Sequence, residues 1–310
     1  MILSTVRNLR EEEARPTELL TNLGFSKDAI VCAEAAILGG RKLVRFHRSG
    51  DLVAILKTHD NTWQTKADRI SEAVIANIIT NKYPHDLITG EESGTSGKSE
   101  SRRRWIFDPL DGTGIYKGGL AGSTTTVIVE ENGCPLAGAI CDPFSRELLV
   151  CQTGLVYQVG LDEKLIPTGE HIEKVHMPQP DKKRATVFMD TTLRTTTAGP
   201  YSAMIARLPD ILDADISLLS AGSNVNNQRQ AITRGHAWIT HAIGGEWDVR
   251  CGAFATEQAG GVATDLEDNP VTAETKSVAI GACNPDIHGK LLTLAQECYR
   301  GYVDFRVGVR

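Results

Sequence analysis

The chain has 310 residues, of which 41% are hydrophobic and 23% charged, with a net charge of −6 and a pI near 5.8. That length supports one large or two medium domains around a sizeable core, and the acidic balance leaves no basic footprint for a nucleic-acid backbone. No apolar run reaches membrane-spanning length, Met1-Ile2-Leu3-Ser4 leads into charge, and the seven cysteines (Cys32, Cys134, Cys141, Cys151, Cys251, Cys283, Cys298) form no CxxC pair, so a cytoplasmic protein with reduced, mostly buried thiols is expected.

Residues 9–23 are rich in Glu and Arg and read as a solvated helix or arm, with a subunit contact as the alternative. Ser26 or Asp28 can cap a helix running to about Phe46, with Ile30, Ala33, Ile37, Leu38 and Val44 as its apolar face. Residues 51–57 alternate like a strand. The spacing of Ile70, Val74, Ile75, Ile78 and Ile79 predicts a helix over 67–82. Tyr83-Pro84 stops it, residues 86–90 form a short strand ending at Glu91-Glu92-Ser93, and 94–101 is a polar loop. Trp105-Ile106-Phe107 reads as a buried strand that Pro109 halts, which places Asp108 and Asp111 just past its end. Strands over 123–129 and 135–141 are joined by the turn Glu130-Glu131-Asn132-Gly133, and 147–152 and 155–159 extend the meander.

The polar stretch 161–183, broken by Pro167, Pro178 and Pro180, is the candidate boundary between an N-terminal half (1–183) and a C-terminal half (184–310). Beyond it strands over 185–189, 216–219 and 237–241 alternate with helices over 202–208, 223–233, 248–260 and 285–299. The fold class is therefore α/β with an α+β first half.

The chemistry centres on Asp108-Pro109-Leu110-Asp111-Gly112-Thr113. Two carboxylates held close together repel unless one is protonated or a cation lies between them, and a hard cation such as Mg²⁺ prefers such oxygens. Gly112 and Thr113 offer backbone N–H groups on which a phosphate can rest if a helix starts there. The competing reading is an acidic β-turn, since Asp, Pro and Gly are turn residues. Glu91 also ends a short apolar strand. Asp248 follows Trp247 near a helix start, where it is either an N-cap or a further metal ligand. Lys57, Asp60, Thr65 and Asp68 fall in a polar loop before a helix, and Asp68 is on its own a first-turn carboxylate.

Taken in order, Gly90-Glu91-Glu92-Ser93, Trp105 to Thr113, and Trp247-Asp248 followed by Ala259-Gly260-Gly261 resemble the three metal segments of the inositol monophosphatase superfamily. Lys57-Thr58-His59-Asp60 through Asp68 resembles the segment before that family's second helix. The resemblance implies a layered αβαβα sandwich and an Mg²⁺-dependent, lithium-sensitive phosphomonoesterase. It implies that Glu91, Asp108 and the Leu110 carbonyl hold one Mg²⁺, that Asp108, Asp111 and Asp248 hold a second, and that Glu91 helps position a third. Mn²⁺ is the expected substitute, and Li⁺ and Ca²⁺ the expected inhibitors. Thr113 and Asp68 are then the pair that orients the attacking water, with Glu91 the third residue placed at the reaction. Gly112 and Thr113 hold phosphate. A homodimer is implied because family members are commonly dimers.

Phosphate esters repel hydroxide, so cations that screen the dianion and acidify water suit this acidic set, and no covalent nucleophile is needed. By analogy the substrate contacts are Asp111, Ser220, Ala221, Gly222, Ser223, His241 and Asp248. Ser220 to Ser223 also read as a strand-to-helix turn, and His241 as a structural histidine. Inositol-specific members carry Glu where this chain has His241, and Gly114-Ile115-Tyr116-Lys117 departs from their pattern. Gly133 to Gly138 and Asp142-Pro143-Phe144 resemble the bisphosphate nucleotidase branch. The expected substrate is a small phosphorylated metabolite, an inositol phosphate or similar polyol or sugar phosphate. Alternatives within the superfamily are a 3′(2′),5′-bisphosphate nucleotidase and a fructose-1,6-bisphosphate or histidinol-phosphate phosphatase. Rival readings are an aspartyl-phosphate mechanism, disfavoured by the Asp-x-x-Asp spacing, a non-catalytic metal- and phosphometabolite-binding regulator, and a purely structural acidic turn. Nucleic-acid and membrane partners are not expected.

Overall fold

The computed structural model describes residues 14–57, 62–98, 100–181, 183–190, 198–242, 244–275 and 277–299. Asp60 and the first part of the expected N-terminal arm lie outside them. Helix α1 (Ala14–Asn22) precedes α2 (Lys27–Ser49), where Ser26 Oγ accepts the Ala29 N–H at 3.3 Å and Gly50, at φ 72°, ends the helix. A short hairpin, β1 (Ala54–Leu56) with β2 (Trp63–Thr65), leads into α3 (Lys66–Lys82). Thr65 and Asp68 form a reciprocal capping box at its start. Helices α2 and α3 approach closely because Gly39 has no side chain: a Cβ there would lie 2.8 Å from Ser71 Oγ.

The eight-stranded sheet has the order β10-β9-β8-β7-β6-β5-β3-β4. Its members are β3 (Leu87–Gly90), β4 (Gly94–Ser96), β5 (Arg103–Asp111), β6 (Thr124–Glu131), β7 (Cys134–Asp142), β8 (Glu147–Gln152), β9 (Leu155–Leu161) and β10 (Pro167–Lys174). The pairing is antiparallel except between β3 and β5. Asn132 (φ 51°) and Gly133 (φ 77°) make the turn between β6 and β7, the left-handed pair that a two-residue hairpin demands.

One expectation is corrected here. Pro109 does not halt the strand: β5 continues to Asp111, and its register against β6 shifts between Asp108 and Asp111. A bulge tolerates a residue without an N–H, so Pro109 bends the strand instead of ending it. Strand β10, within the stretch 161–183, forms the edge of the first sheet.

A short helix α4 (Thr113–Lys117) follows β5. The second sheet, five-stranded in the order β12-β11-β13-β15-β14, uses β11 (Arg184–Met189), β12 (Asp215–Leu219), β13 (Ala237–His241), β14 (Val262–Asp265) and β15 (Val278–Ala282). Strand β11 runs parallel to β12 and β13, while β15 is antiparallel to β13 and β14. Helices α5 (Ala198–Leu212), α6 (Asn224–Arg234), α7 (Arg250–Gln258) and α8 (Pro285–Tyr299) complete this half.

The layers follow from strand alternation. Trp105 and Phe107 face α2 and α3, whereas Ile106 joins the core formed with α7 through Cys251, Phe254 and Ala255. Trp238 and Ala279 of the second sheet pack with Ala231 of α6 and Ala253 of α7, and Ile239 and Ile280 share a core with Met204 of α5 and Leu291 of α8. The result is helices, sheet, helices, sheet, helices. No helix among the described residues is long and apolar enough to cross a membrane.

Candidate metal and phosphate site

The parallel register of β3 and β5 aligns Gly90 with Phe107, so Glu91, just past β3, and Asp108, where the bulge of β5 begins, follow on side by side. Asp108 Oδ1 accepts the Leu110 N–H at 2.8 Å across the bulge. Asp111 reaches into the second half, where its Oδ2 accepts N–H groups of Val225 at 2.8 Å and Asn226 at 3.3 Å, and the Thr124 hydroxyl at 3.0 Å. The N-cap residue of α6, Ser223, makes no side-chain cap bond. Asp111 therefore caps a helix to which it is not covalently adjacent.

Asp248 lies in a 3₁₀ turn (Glu246–Asp248) just ahead of α7, whose N-cap is Val249, and its Oδ2 accepts the Gly244 N–H at 3.0 Å. Arg104 of β5 holds this turn with a two-pronged pair to Glu246, both contacts at 2.8 Å, and also binds Glu130. One carboxylate oxygen from each of Asp108, Asp111 and Asp248 falls within 4.8 Å of the others, and all three side chains are buried.

Electrostatics makes this cluster costly by itself. Burial, then the charges of Glu91, Asp111 and Asp248, push the Asp108 carboxyl well above its usual range. Burial followed by Asp111 and Glu91 does the same to Asp248. Asp111 is raised by burial, with the hydroxyl and N–H donors around it pulling the other way. Glu91 rises to about 7, chiefly through burial, opposed by the Lys57 ammonium 3.0 Å away. Lys57 also binds Glu92 at 3.3 Å. Buried oxygen donors that resist ionisation together fit a hard divalent cation, whose charge removes the conflict.

Thr113 Oγ1 stands 3.1 Å from Asp68 Oδ1 and 3.1 Å from the Leu110 carbonyl oxygen. Asp68 is fully buried, does not line the cavity, and reaches the site through Thr113. A cavity of about 610 Å³ opens over the group. Glu91, Asp108, Leu110, Asp111, Gly112, Thr113, Gly222, Ser223, His241 and Asp248 all line it.

Ser220 and Ala221 do not line this cavity. Ser220 Oγ instead accepts the Gly222 N–H, and the Ala221 N–H bonds Asn227 Oδ1 at 2.6 Å, the pattern of a strand-to-helix turn. His241 sits on the wall, but its Nε2 bonds the Tyr299 hydroxyl and its ring packs 5.1 Å from Tyr201, which fixes it in place. The sequence expectations omitted Trp63, Ile115 and Asp190, which also line the cavity. Asp190 follows β11 as His241 ends β13, and carboxyl ends of parallel strands are where α/β sheets place ligands, so that signal was available.

The layered fold and the buried acidic cluster set the class of protein, and the comparisons name the family. Residues 27–300 match the inositol monophosphatase family. The chain belongs to that family. It is 27% identical over 291 residues to inositol-1-monophosphatase of Synechocystis sp., covering 89% of each chain. It is 23% identical over 272 residues to a putative Nus factor SuhB of Neisseria meningitidis serogroup A, covering 84% of this chain and 95% of the relative. The structure of extragenic suppressor protein suhB from Bartonella henselae superposes with a TM-score of 0.71 at 22% identity, over 86% of this chain and 97% of that one.

Proposed function

We propose that the protein is an Mg²⁺-dependent phosphomonoesterase acting on a small phosphorylated metabolite, an inositol phosphate or similar polyol or sugar phosphate. The observation that carries this reading is the convergence of Asp108, Asp111 and Asp248 under an open cavity beside the Thr113–Asp68 pair. Glu91, Asp108 and the Leu110 carbonyl would hold one ion, and Asp108, Asp111 and Asp248 another, with Glu91 beside a third. Bound Mg²⁺ would supply charge against the phosphate dianion and make water more acidic.

The remaining steps belong to the chain's own side chains. Thr113 Oγ1, donating to Asp68, keeps its lone pairs for the attacking water and aims that water at phosphorus. Asp68 positions Thr113. The N–H groups of Gly112 and Thr113 hold non-bridging phosphate oxygens. Gly222, Ser223 and His241 meet the leaving group on the side supplied by residues 184–310. Displacement by water in line with the departing alkoxide needs no phosphoenzyme. We assign the working protein to the cytoplasm as a homodimer. Within the family, a bisphosphate nucleotidase or a fructose-1,6-bisphosphate or histidinol-phosphate phosphatase uses the same machinery on a different leaving group.

The relatives named Nus factor SuhB favour a second reading, in which the same residues bind metal and a phosphorylated metabolite for regulation. One experiment separates the two. Turnover of a panel of phosphate esters with Mg²⁺ is expected for the wild-type protein. Asp108→Asn should lower it by at least 10³-fold, roughly the loss of several kcal/mol of charge stabilisation, and should weaken Mg²⁺ binding in calorimetry. A fully active Asp108→Asn protein overturns the assignment, and a wild-type protein that binds Mg²⁺ without turnover supports the regulatory reading.

A further inference from the structure

The cavity has one feature that the metal chemistry does not use. Trp63, on the β1–β2 hairpin, lines it while remaining 37% exposed. Lys117 of α4 places its ammonium 4.1 Å from the centre of the indole ring, and Lys117 is not itself part of the cavity lining. The ring is thus braced from outside the cavity by a cation–π contact, which favours one orientation of an otherwise exposed side chain. Leu56, the cross-strand partner of Trp63, is 49% exposed. Ile115 adds a second apolar wall next to Thr113. Among the described lining residues there is no Lys or Arg.

We propose that Trp63 is a specificity-determining residue: its ring is the platform for the leaving group, and it selects phosphate monoesters that carry a flat aromatic or broad apolar face over small polyol esters. The argument is one of complementarity. Trp63 and Ile115 offer apolar side chains to a leaving group in the same cavity as Gly222, Ser223 and His241, and an indole gains much more from a planar ring than from a hydroxyl-covered chain. Part of the Trp63 ring is open to this cavity, covering apolar surface is favourable, and the substrate is what enters there. Its occupant is therefore the substrate's non-phosphate portion and not a protein partner. This inference rests on the phosphatase reading above.

The test compares benzyl phosphate with glycerol 1-phosphate, both primary alkyl esters, so that differences report contact with the leaving group. Trp63→Ala should lower kcat/KM for benzyl phosphate about tenfold, the order expected for loss of one stacked ring, and leave glycerol 1-phosphate within twofold. Trp63→Phe should keep most of the benzyl phosphate activity, which separates loss of the aromatic face from collapse of the hairpin. Equal losses for both esters, no loss for either, or a change in oligomeric state without a change in selectivity would each overturn the proposal. Calorimetric binding of the two esters with Ca²⁺ forms an independent arm. If the wild-type protein hydrolyses neither these esters nor any of the panel used above, the phosphatase reading fails. The platform then stands only if Trp63→Ala weakens benzyl phosphate binding while sparing glycerol 1-phosphate.

Discussion

Asp68 serves two structural partners at once. It closes the capping box of α3 by accepting the Thr65 N–H at 2.7 Å, and it receives the Thr113 hydroxyl at 3.1 Å. Burial raises its carboxyl to about 6, partly offset by the Thr65 bonds, raised again by the Glu92 charge and lowered by Thr113. On the proposed mechanism, protonation of Asp68 removes the acceptor that fixes Thr113. Activity should therefore fall as pH drops through about 6, visible as an acid limb in the kcat/KM profile. Asp68→Asn should cost about 10²-fold in kcat, the scale of a misaligned nucleophile, and should abolish that limb while KM changes little. A residue that merely capped α3 would lower Tm and leave the pH profile untouched.

At the scale of elements, α6 ties the two sheets. Arg229 is fully buried, donating to Glu147 Oε2 at 2.7 Å, to Asp142 Oδ2 at 3.0 Å and to Asn226. Its partners lie at the facing ends of β7 and β8, so one guanidinium joins the first sheet to the helix that Asp111 caps. Arg229→Leu should lower stability by about 3–5 kcal/mol in urea unfolding, because it strands the buried Asp142 carboxylate. Adding Asp142→Asn should recover part of that loss.

Elements such as α3 and the Asn132-Gly133 turn were legible in the sequence because local spacing and turn chemistry decide them. Strands β14 and β15 were not: β15, Val278–Ala282, is buried on every residue and shows no alternation. Pro109 misled because a ladder bond lost in a central strand is costly, whereas one absent from a bulge costs nothing. Glu91 and Asp108 stand out because each follows a short apolar strand, whereas Asp248, behind the loop Gly244-Gly245-Glu246, stands out only beside the other segments. Trp63 carries no such mark, since only the packing of a hairpin brings it to the cavity, whereas Asp190 follows the strand Arg184–Met189 in the same manner.

For the whole molecule the acidic cluster sets how stability answers to pH. Glu91, Asp108, Asp111 and Asp248 all hold protons more tightly when folded than when unfolded, mainly through burial. The folded chain then binds more protons, so their contribution is complete below the ordinary carboxylate range and is lost as pH climbs, Glu91 reaching its midpoint at about 7. In chelator, Tm should decline between pH 5 and pH 8 in a thermal scan. Mg²⁺ at a hundredfold its Kd should add about 2.7 kcal/mol and flatten that slope, and Asp108→Asn should reduce both effects.

The two-pronged grip of Arg104 on Glu246 has a mechanical consequence. It anchors the turn bearing Asp248 directly to the strand bearing Asp108 and Asp111, so the two halves are riveted beside the acidic cluster. A force pulling the halves apart loads this rivet together with any cation seated there. Ion and arginine share the strain, and the seam opens only when both let go.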